Sequence, residues 1–126
     1  MSQSKEVARI GEGIAAQYLK DRGYQILELN YRLRSGEIDV IAKEGRRIVF
    51  VEVKTRRTLK FGVPQAAVTL AKQKQISKIA LSYLQANNLL DAPCRFDVVA
   101  IYLSSNKSTP TKFEHIQNAF EYVAEE

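Results

Sequence analysis

Gly36-Glu37-Ile38-Asp39-Val40-Ile41-Ala42-Lys43-Glu44-Gly45-Arg46-Arg47-Ile48-Val49-Phe50-Val51-Glu52-Val53-Lys54-Thr55-Arg56-Arg57 is the stretch from which the fold is read. Runs dense in Val, Ile and Phe lie on either side of Glu44-Gly45-Arg46-Arg47, and each reads as a strand of a buried sheet. Glycine at the first central position suits a tight two-residue hairpin turn. With Gly45 and Arg46 as the loop, Glu44 faces Arg47 and, counting back along both strands, Asp39 faces Glu52. Alternation then places Glu37, Asp39 and Ile41 on one face with Phe50, Glu52 and Lys54, and leaves Ile38, Val40, Ala42, Val49, Val51 and Val53 on the other. Opposed carboxylates repel, and charges in an otherwise apolar strand cost free energy unless they are paired or bind a metal. A slip of one residue would send Asp39 to the opposite face from Glu52, so the site depends on this turn.

Upstream, residues 5–22 carry Val7, Ile10, Ile14, Ala15 and Tyr18 at helical spacing, with Gly23 placed as a C-terminal stop. Glu12 is the odd member of this helix, because its neighbours one turn away include Ala8, Ala15 and Ala16 and it is flanked by Gly11 and Gly13. Each such glycine costs about 1 kcal/mol relative to alanine inside a helix, so close approach of another element or a ligand is expected there. The plainer alternative leaves Glu12 exposed, with the glycines serving helix-to-sheet packing. Tyr24–Leu33 reads as a first strand, and Arg32, Arg34, Ser35 and Gly36 lead into the second.

Downstream, residues 55–64 form a basic loop, and Thr69 is a candidate N-cap for a helix to about Gln85 with Ile76, Ile79, Ala80, Tyr83 and Leu84 inward. Residues 95–103 form a strand apolar enough to require burial on both faces, and Phe113–His115 a short edge strand. Ile116, Ala119, Phe120 and Val123 predict a last short helix. The order helix, three strands, helix, strand, helix is that of an α/β sandwich, a mixed sheet covered on both faces.

The chain has 126 residues, 45% apolar and 26% charged, which fits one soluble globular domain spanning 1–126. No run of apolar residues is long enough for a membrane span, and the first six residues lack the apolar stretch of a signal peptide, so a cytoplasmic protein with no membrane partner is expected. One cysteine, Cys94, and one histidine, His115, argue against an internal disulfide and a structural zinc site. The net charge is +5, and no acidic residue lies between Glu52 and Asp91. Arg56, Arg57, Lys60, Lys72, Lys74 and Lys78 fall in that segment and are candidates for contact with a nucleic-acid backbone. A solvated lysine-rich helix is the plainer account of the same charges.

An acid, twelve residues, then Glu-x-Lys is a weak pattern taken alone. In neighbouring strands, however, Asp39 and Glu52 can hold Mg²⁺ or Mn²⁺, an ion that binds through one or two carboxylates plus a substrate phosphate. The backbone carbonyl of Val53 is a further candidate ligand, and Lys54 a candidate to orient or activate a metal-bound water. Gly11-Glu12, Gly36-Glu37-Ile38-Asp39, Phe50-Val51-Glu52-Val53-Lys54-Thr55-Arg56 and Arg95-Phe96-Asp97-Val98-Val99 together resemble the YraN family over roughly residues 8–123. These are small bacterial proteins related to the archaeal Holliday junction resolvases of the restriction-endonuclease-like superfamily.

The resemblance implies a mixed sheet of four to five strands flanked by helices and Mg²⁺-dependent cleavage of DNA, on branched or single-stranded forms. By motif it makes Asp39 and Glu52 metal ligands, Lys54 the catalytic lysine and Glu12 the acid supplied by the first helix. Junction resolvases are dimers, which raises a homodimer here, although no feature of the sequence identifies a self-complementary patch. Glu37, opposite Lys54 in this register, is either its salt-bridge partner or an additional ligand. Asp97, with Arg95 two residues before it, reads as a structural charge pair at the sheet edge. Two alternatives stand beside a nuclease: a non-catalytic nucleic-acid-binding or adaptor module of the same fold, and a purely structural salt-bridge cluster of Asp39, Glu52 and Lys54.

Overall fold

A computed structural model describes residues 3–56, 68–104 and 109–124; Arg57 and Lys60 lie outside them. The elements are α1 (Gln3–Asp21), β1 (Gln25–Leu33), β2 (Gly36–Glu44), β3 (Arg47–Arg56), α2 (Leu70–Ala86), β4 (Cys94–Leu103) and β5 (Pro110–Phe120). The five strands form one sheet in sequence order, antiparallel except for the parallel pair β3 and β4. One helix covers each face, which gives a restriction-endonuclease-like core.

Two apolar clusters hold the layers together. Ala15 and Leu19 of α1 pack on Val40, Ala42, Val49, Val51, Val99 and Ile101, while Ile76, Ile79, Tyr83 and Leu84 of α2 pack on Ile41, Ile48, Phe50 and Phe96. Burying a side chain of this size contributes about 1.5–3 kcal/mol, so both helices are fixed by their apolar stripes. Local chemistry sets their ends. Gly23 takes φ 93° after α1 while Tyr24 N donates to Leu19 O at 2.9 Å, the left-handed stop expected of glycine. Thr69 caps α2, its hydroxyl accepting from Lys72 N at 3.1 Å.

The hairpin has the expected register, Glu44 opposite Arg47 and Val40 opposite Val51, with Gly45 at φ 61° in the turn. Ile38 departs from the expected alternation. It packs in the α2-side cluster although Val40 packs in the α1-side cluster, so the period of two breaks at Asp39. The strand opposite breaks too: Asn30, between the pairs Leu29–Val40 and Tyr31–Ile38, has φ 51°. A local twist of both strands thus carries Ile38 under α2, where Tyr31 packs on Tyr83 with ring centroids 5.2 Å apart.

The last helix predicted from Ile116, Ala119, Phe120 and Val123 is not formed; residues to Phe120 belong to β5, antiparallel to β4. The register shifts between Phe96–Phe120 and Val98–Ile116, and Asn118 takes φ 53°. An inserted residue at such a bulge spaces apolar positions by three or four and so imitates a helix. Phe120 stacks on Phe96 with centroids 5.0 Å apart, a long-range contact that local periodicity does not encode. The expected edge strand at Phe113–His115 is present as the middle of this longer one.

Candidate metal centre

Asp39 and Glu52 meet where β2 and β3 diverge. The ladder between these strands ends at Val40–Val51, one rung short of the two acids. In its place the Asp39 carboxylate accepts a hydrogen bond from Val53 N at 2.8 Å. A strand residue turns its N–H and C=O to the same side, so the carbonyl of Val53 also faces β2, past the last rung. Glu52 is 5% exposed, and its Oε1 is buried without a hydrogen-bond partner among the described residues. Its Oε2 lies 3.5 Å from Lys72 Nζ at the start of α2.

Burial and the neighbouring charge of Glu52 push the Asp39 carboxyl up to about 8, with Glu12 and Glu37 adding to the rise and the Val53 hydrogen bond opposing it. Burial also raises Glu52, against the pull of the Lys72 and Lys54 charges. These are the signs of acids brought together without enough positive charge. Lys54 acts on this pair through its charge on Glu52.

The first helix delivers the third acid. A Cβ on Gly11 would sit 1.8 Å from Thr55 Oγ1, so only glycine lets α1 approach β3 this closely. Among the described residues Gly13 meets nothing within 4 Å, and the close approach predicted there is found at Gly11. Glu12, Glu37 and Asp39 each offer a carboxylate oxygen within 4.8 Å of the others. Glu37 does not pair with Lys54: its carboxylate takes Arg32 Nη2 at 2.7 Å and Asn30 Nδ2 at 3.1 Å. Asn30 Nδ2 donates to Glu12 Oε1 at 3.0 Å as well.

Beside these acids is a cavity of about 470 Å³ lined by Arg32, Leu33, Arg34, Gly36, Glu37, Asp39, Lys72 and Gln75. Gln75 Nε2 donates to Ser35 O and so ties the β1–β2 turn to α2. Lys74 and Lys78 do not reach this cavity; they line a separate one of about 230 Å³ with Leu81 and Tyr122–Ala124. Arg56 Nη1 donates to Thr55 O at 2.9 Å.

Asp97 is fully buried in β4, an interior strand, which corrects its expected place at the sheet edge. Burial alone would raise its carboxyl. Hydrogen bonds from His115 Nε2 at 2.8 Å, Arg95 Nε at 2.8 Å and Asn118 N at 3.0 Å outweigh that and hold it below its ordinary value.

A profile of the family described as "Uncharacterised protein family UPF0102" matches residues 11–101. The chain belongs to that family. UPF0102 is the YraN family that its motifs resemble. A UPF0102 protein of Geotalea uraniireducens is 54% identical over 120 residues, 95% of this chain and 93% of the relative. One of Geobacter sulfurreducens is 52% identical over 111 residues, 88% and 85% of the two chains. One of Caldanaerobacter subterraneus is 49% identical over 116 residues, 92% and 95%.

The span matched by the UPF0102 profile holds Glu12, Asp39, Glu52, Lys54 and Lys72. Of the residues that shape this UPF0102 site, Asn30 is not singled out from sequence, and Lys72 is singled out only as a candidate nucleic-acid contact, not as a partner of Glu52. Asn30 was visible as a residue disfavoured in strand interiors, and that was its only signal. Lys72 is grouped from sequence with the candidate nucleic-acid contacts, and its contact with Glu52 depends on how α2 docks across the sheet. Among the described residues, no helix is long and apolar enough to cross a membrane.

Proposed function

We propose that this chain is a metal-dependent endonuclease that hydrolyses phosphodiester bonds of DNA. The observation that carries the reading is the Asp39–Glu52 pair, in which Glu52 is buried with its Oε1 lacking a partner among the described residues, and the partly buried Asp39 is pushed up to about 8 by desolvation and by Glu52. Such a pair is costly in a sheet interior unless a cation completes it. The donors are all oxygen, which suits Mg²⁺ or Mn²⁺. Asp39, Glu52 and the Val53 carbonyl would hold the ion, with Glu12 close by.

When bound, Mg²⁺ or Mn²⁺ would lower the pKa of a coordinated water and neutralise charge developing on a phosphate. The protein's own groups take the other roles. Lys54 orients the attacking water from the β3 side. Lys72 and Arg34, on the cavity wall, receive phosphate oxygens and offset their charge. Arg56, Lys74 and Lys78 supply positive charge for the rest of the backbone, Arg57 and Lys60 are assigned the same role from sequence alone, and their contribution is read from the salt dependence of binding.

A second reading has one observation behind it. Lys72 Nζ already lies 3.5 Å from Glu52 Oε2, so an ammonium can partly balance the pair in a DNA-binding module that never turns over. Incubating the protein with linear, flapped and four-way DNA in Mg²⁺ and in Mn²⁺ separates the two. The nuclease reading expects cleavage of at least one substrate, abolished by chelation and by Asp39→Asn or Glu52→Gln, with DNA binding kept. No cleavage of any substrate, or equal cleavage by both variants, would sink it.

A further inference from the structure

Among the described residues, Asn30 is the one that hydrogen-bonds both the helix acid, Glu12, and a strand acid, Glu37. It sits in β1 opposite Asp39, with φ 51°, a conformation that asparagine tolerates better than most residues. Its amide has two hydrogens, and each carboxylate within reach takes one: Glu12 Oε1 at 3.0 Å and Glu37 Oε2 at 3.1 Å. The other Glu37 oxygen accepts from Arg32 Nη2 at 2.7 Å. Both oxygens of Glu37 are therefore engaged, and its charge is matched by an arginine. Glu12 Oε2 has no donor among the described residues.

We propose that Asn30 is a positioning residue which fixes Glu12 as the helix's ligand to the metal centre, while Arg32 and Asn30 together hold Glu37 outside the ligand set. The proposal rests on the metal-binding reading of Asp39 and Glu52. The chain of contacts runs Arg32, Glu37, Asn30, Glu12, and it ends at a carboxylate with an oxygen within 4.8 Å of one of Asp39. Without the amide, carboxylates within 4.8 Å of one another would repel. Glu12, carried between Gly11 and Gly13, would then turn to solvent. The break in strand alternation at Asn30 and Asp39 serves the same end, because an ordinary strand would alternate past this position with its amide directed elsewhere.

Calorimetric titration of the full-length protein with Mn²⁺ tests this without reference to turnover. Asn30→Gly keeps the left-handed backbone and removes only the amide, whereas Asn30→Ala disturbs both and serves to measure the backbone's share by thermal unfolding. Asn30→Gly is expected to weaken Mn²⁺ about tenfold, as loss of a group that orients a ligand does. The double variant Asn30→Gly/Glu12→Gln should bind no more weakly than Glu12→Gln alone, because the amide acts through Glu12. Glu37→Gln should cost less affinity than Glu12→Gln.

Wild-type affinity in Asn30→Gly, full additivity in the double variant, or a Glu37→Gln loss as large as that of Glu12→Gln would each overturn the proposal. If Asp39→Ala still bound Mn²⁺ as wild type does, the metal-centre reading itself would fall, and this proposal with it. Loss in Asp39→Ala with none in Asn30→Gly would overturn the role of Asn30 alone.

Discussion

Two aspartates of this sheet, Asp97 buried and Asp39 partly buried, show how surroundings decide what a carboxylate does. Asp97 receives donors from Arg95, His115 and the Asn118 backbone and is held ionised; Asp39 receives one backbone donor and is held protonated by burial and by Glu52. Asp97→Asn should therefore destabilise the protein by about 3–5 kcal/mol, the cost of stranding a largely buried arginine partner, measured as a lower urea midpoint in metal-free buffer. Glu52→Gln should stay within about 1 kcal/mol of wild type in the same titration, since Lys72 is exposed enough to find water. A Glu52→Gln loss as large as that of Asp97→Asn would mean that the centre is structural. Sequence separates the two, pairing Asp97 with Arg95 as a structural charge and placing Asp39 at the metal site, but it does not show the further donors that hold Asp97 ionised. The donors to Asp97 include His115 and Asn118, which reach it only across the β4–β5 pair. The mutual approach of Asp39 and Glu52, by contrast, was legible because a two-residue turn fixes register locally.

At the scale of elements, the close fit of α1 on β3 turns on one glycine of a pair that look alike in sequence. Gly11→Ala would drive a Cβ into Thr55 Oγ1 at 1.8 Å, and overpacking of this kind costs roughly 1–3 kcal/mol. Adding Thr55→Ala removes that hydroxyl and should recover part of the loss. Gly13→Ala, with nothing within 4 Å, should instead stabilise by up to about 1 kcal/mol through helix propensity. Thermal unfolding of the three variants checks this, and equal effects of Gly11→Ala and Gly13→Ala would refute the assigned contact. Both helices, the hairpin and the first four strands were readable because their apolar periods and end signals agree with their packing. The failure lay in β5, where a bulge gave a strand the spacing of a helix, and at Ile38, where the twist beside Asn30 moved a side chain to the other face. Each error sits where the backbone departs from regular geometry, which periodicity cannot register. One of these departures, at Asn30 and Asp39, is also where the metal centre is built.

For the whole molecule, these acids make stability depend on pH and metal together. The Asp39 carboxyl lies at about 8 in the folded protein against an ordinary 3.8, so between those values the folded state binds the extra proton. Stability of the metal-free protein should then fall as pH rises from about 4 to about 8, the reverse of the trend from a depressed carboxylate such as Asp97, whose contribution is lost only on acidification below its ordinary range. A metal ion binds the deprotonated ligands, so its stabilisation should grow over the same interval, reaching about 2.7 kcal/mol at a concentration 100 times its dissociation constant. Unfolding midpoints across this pH range, with chelator and then with saturating Mn²⁺, should diverge with rising pH. In Asp39→Asn the metal-free curve should flatten and lie above wild type near pH 8, and Mn²⁺ should no longer separate the pair. Parallel curves with and without metal in the wild type would show that Asp39 and Glu52 are balanced by the protein's own cations, with Lys72 the first to examine.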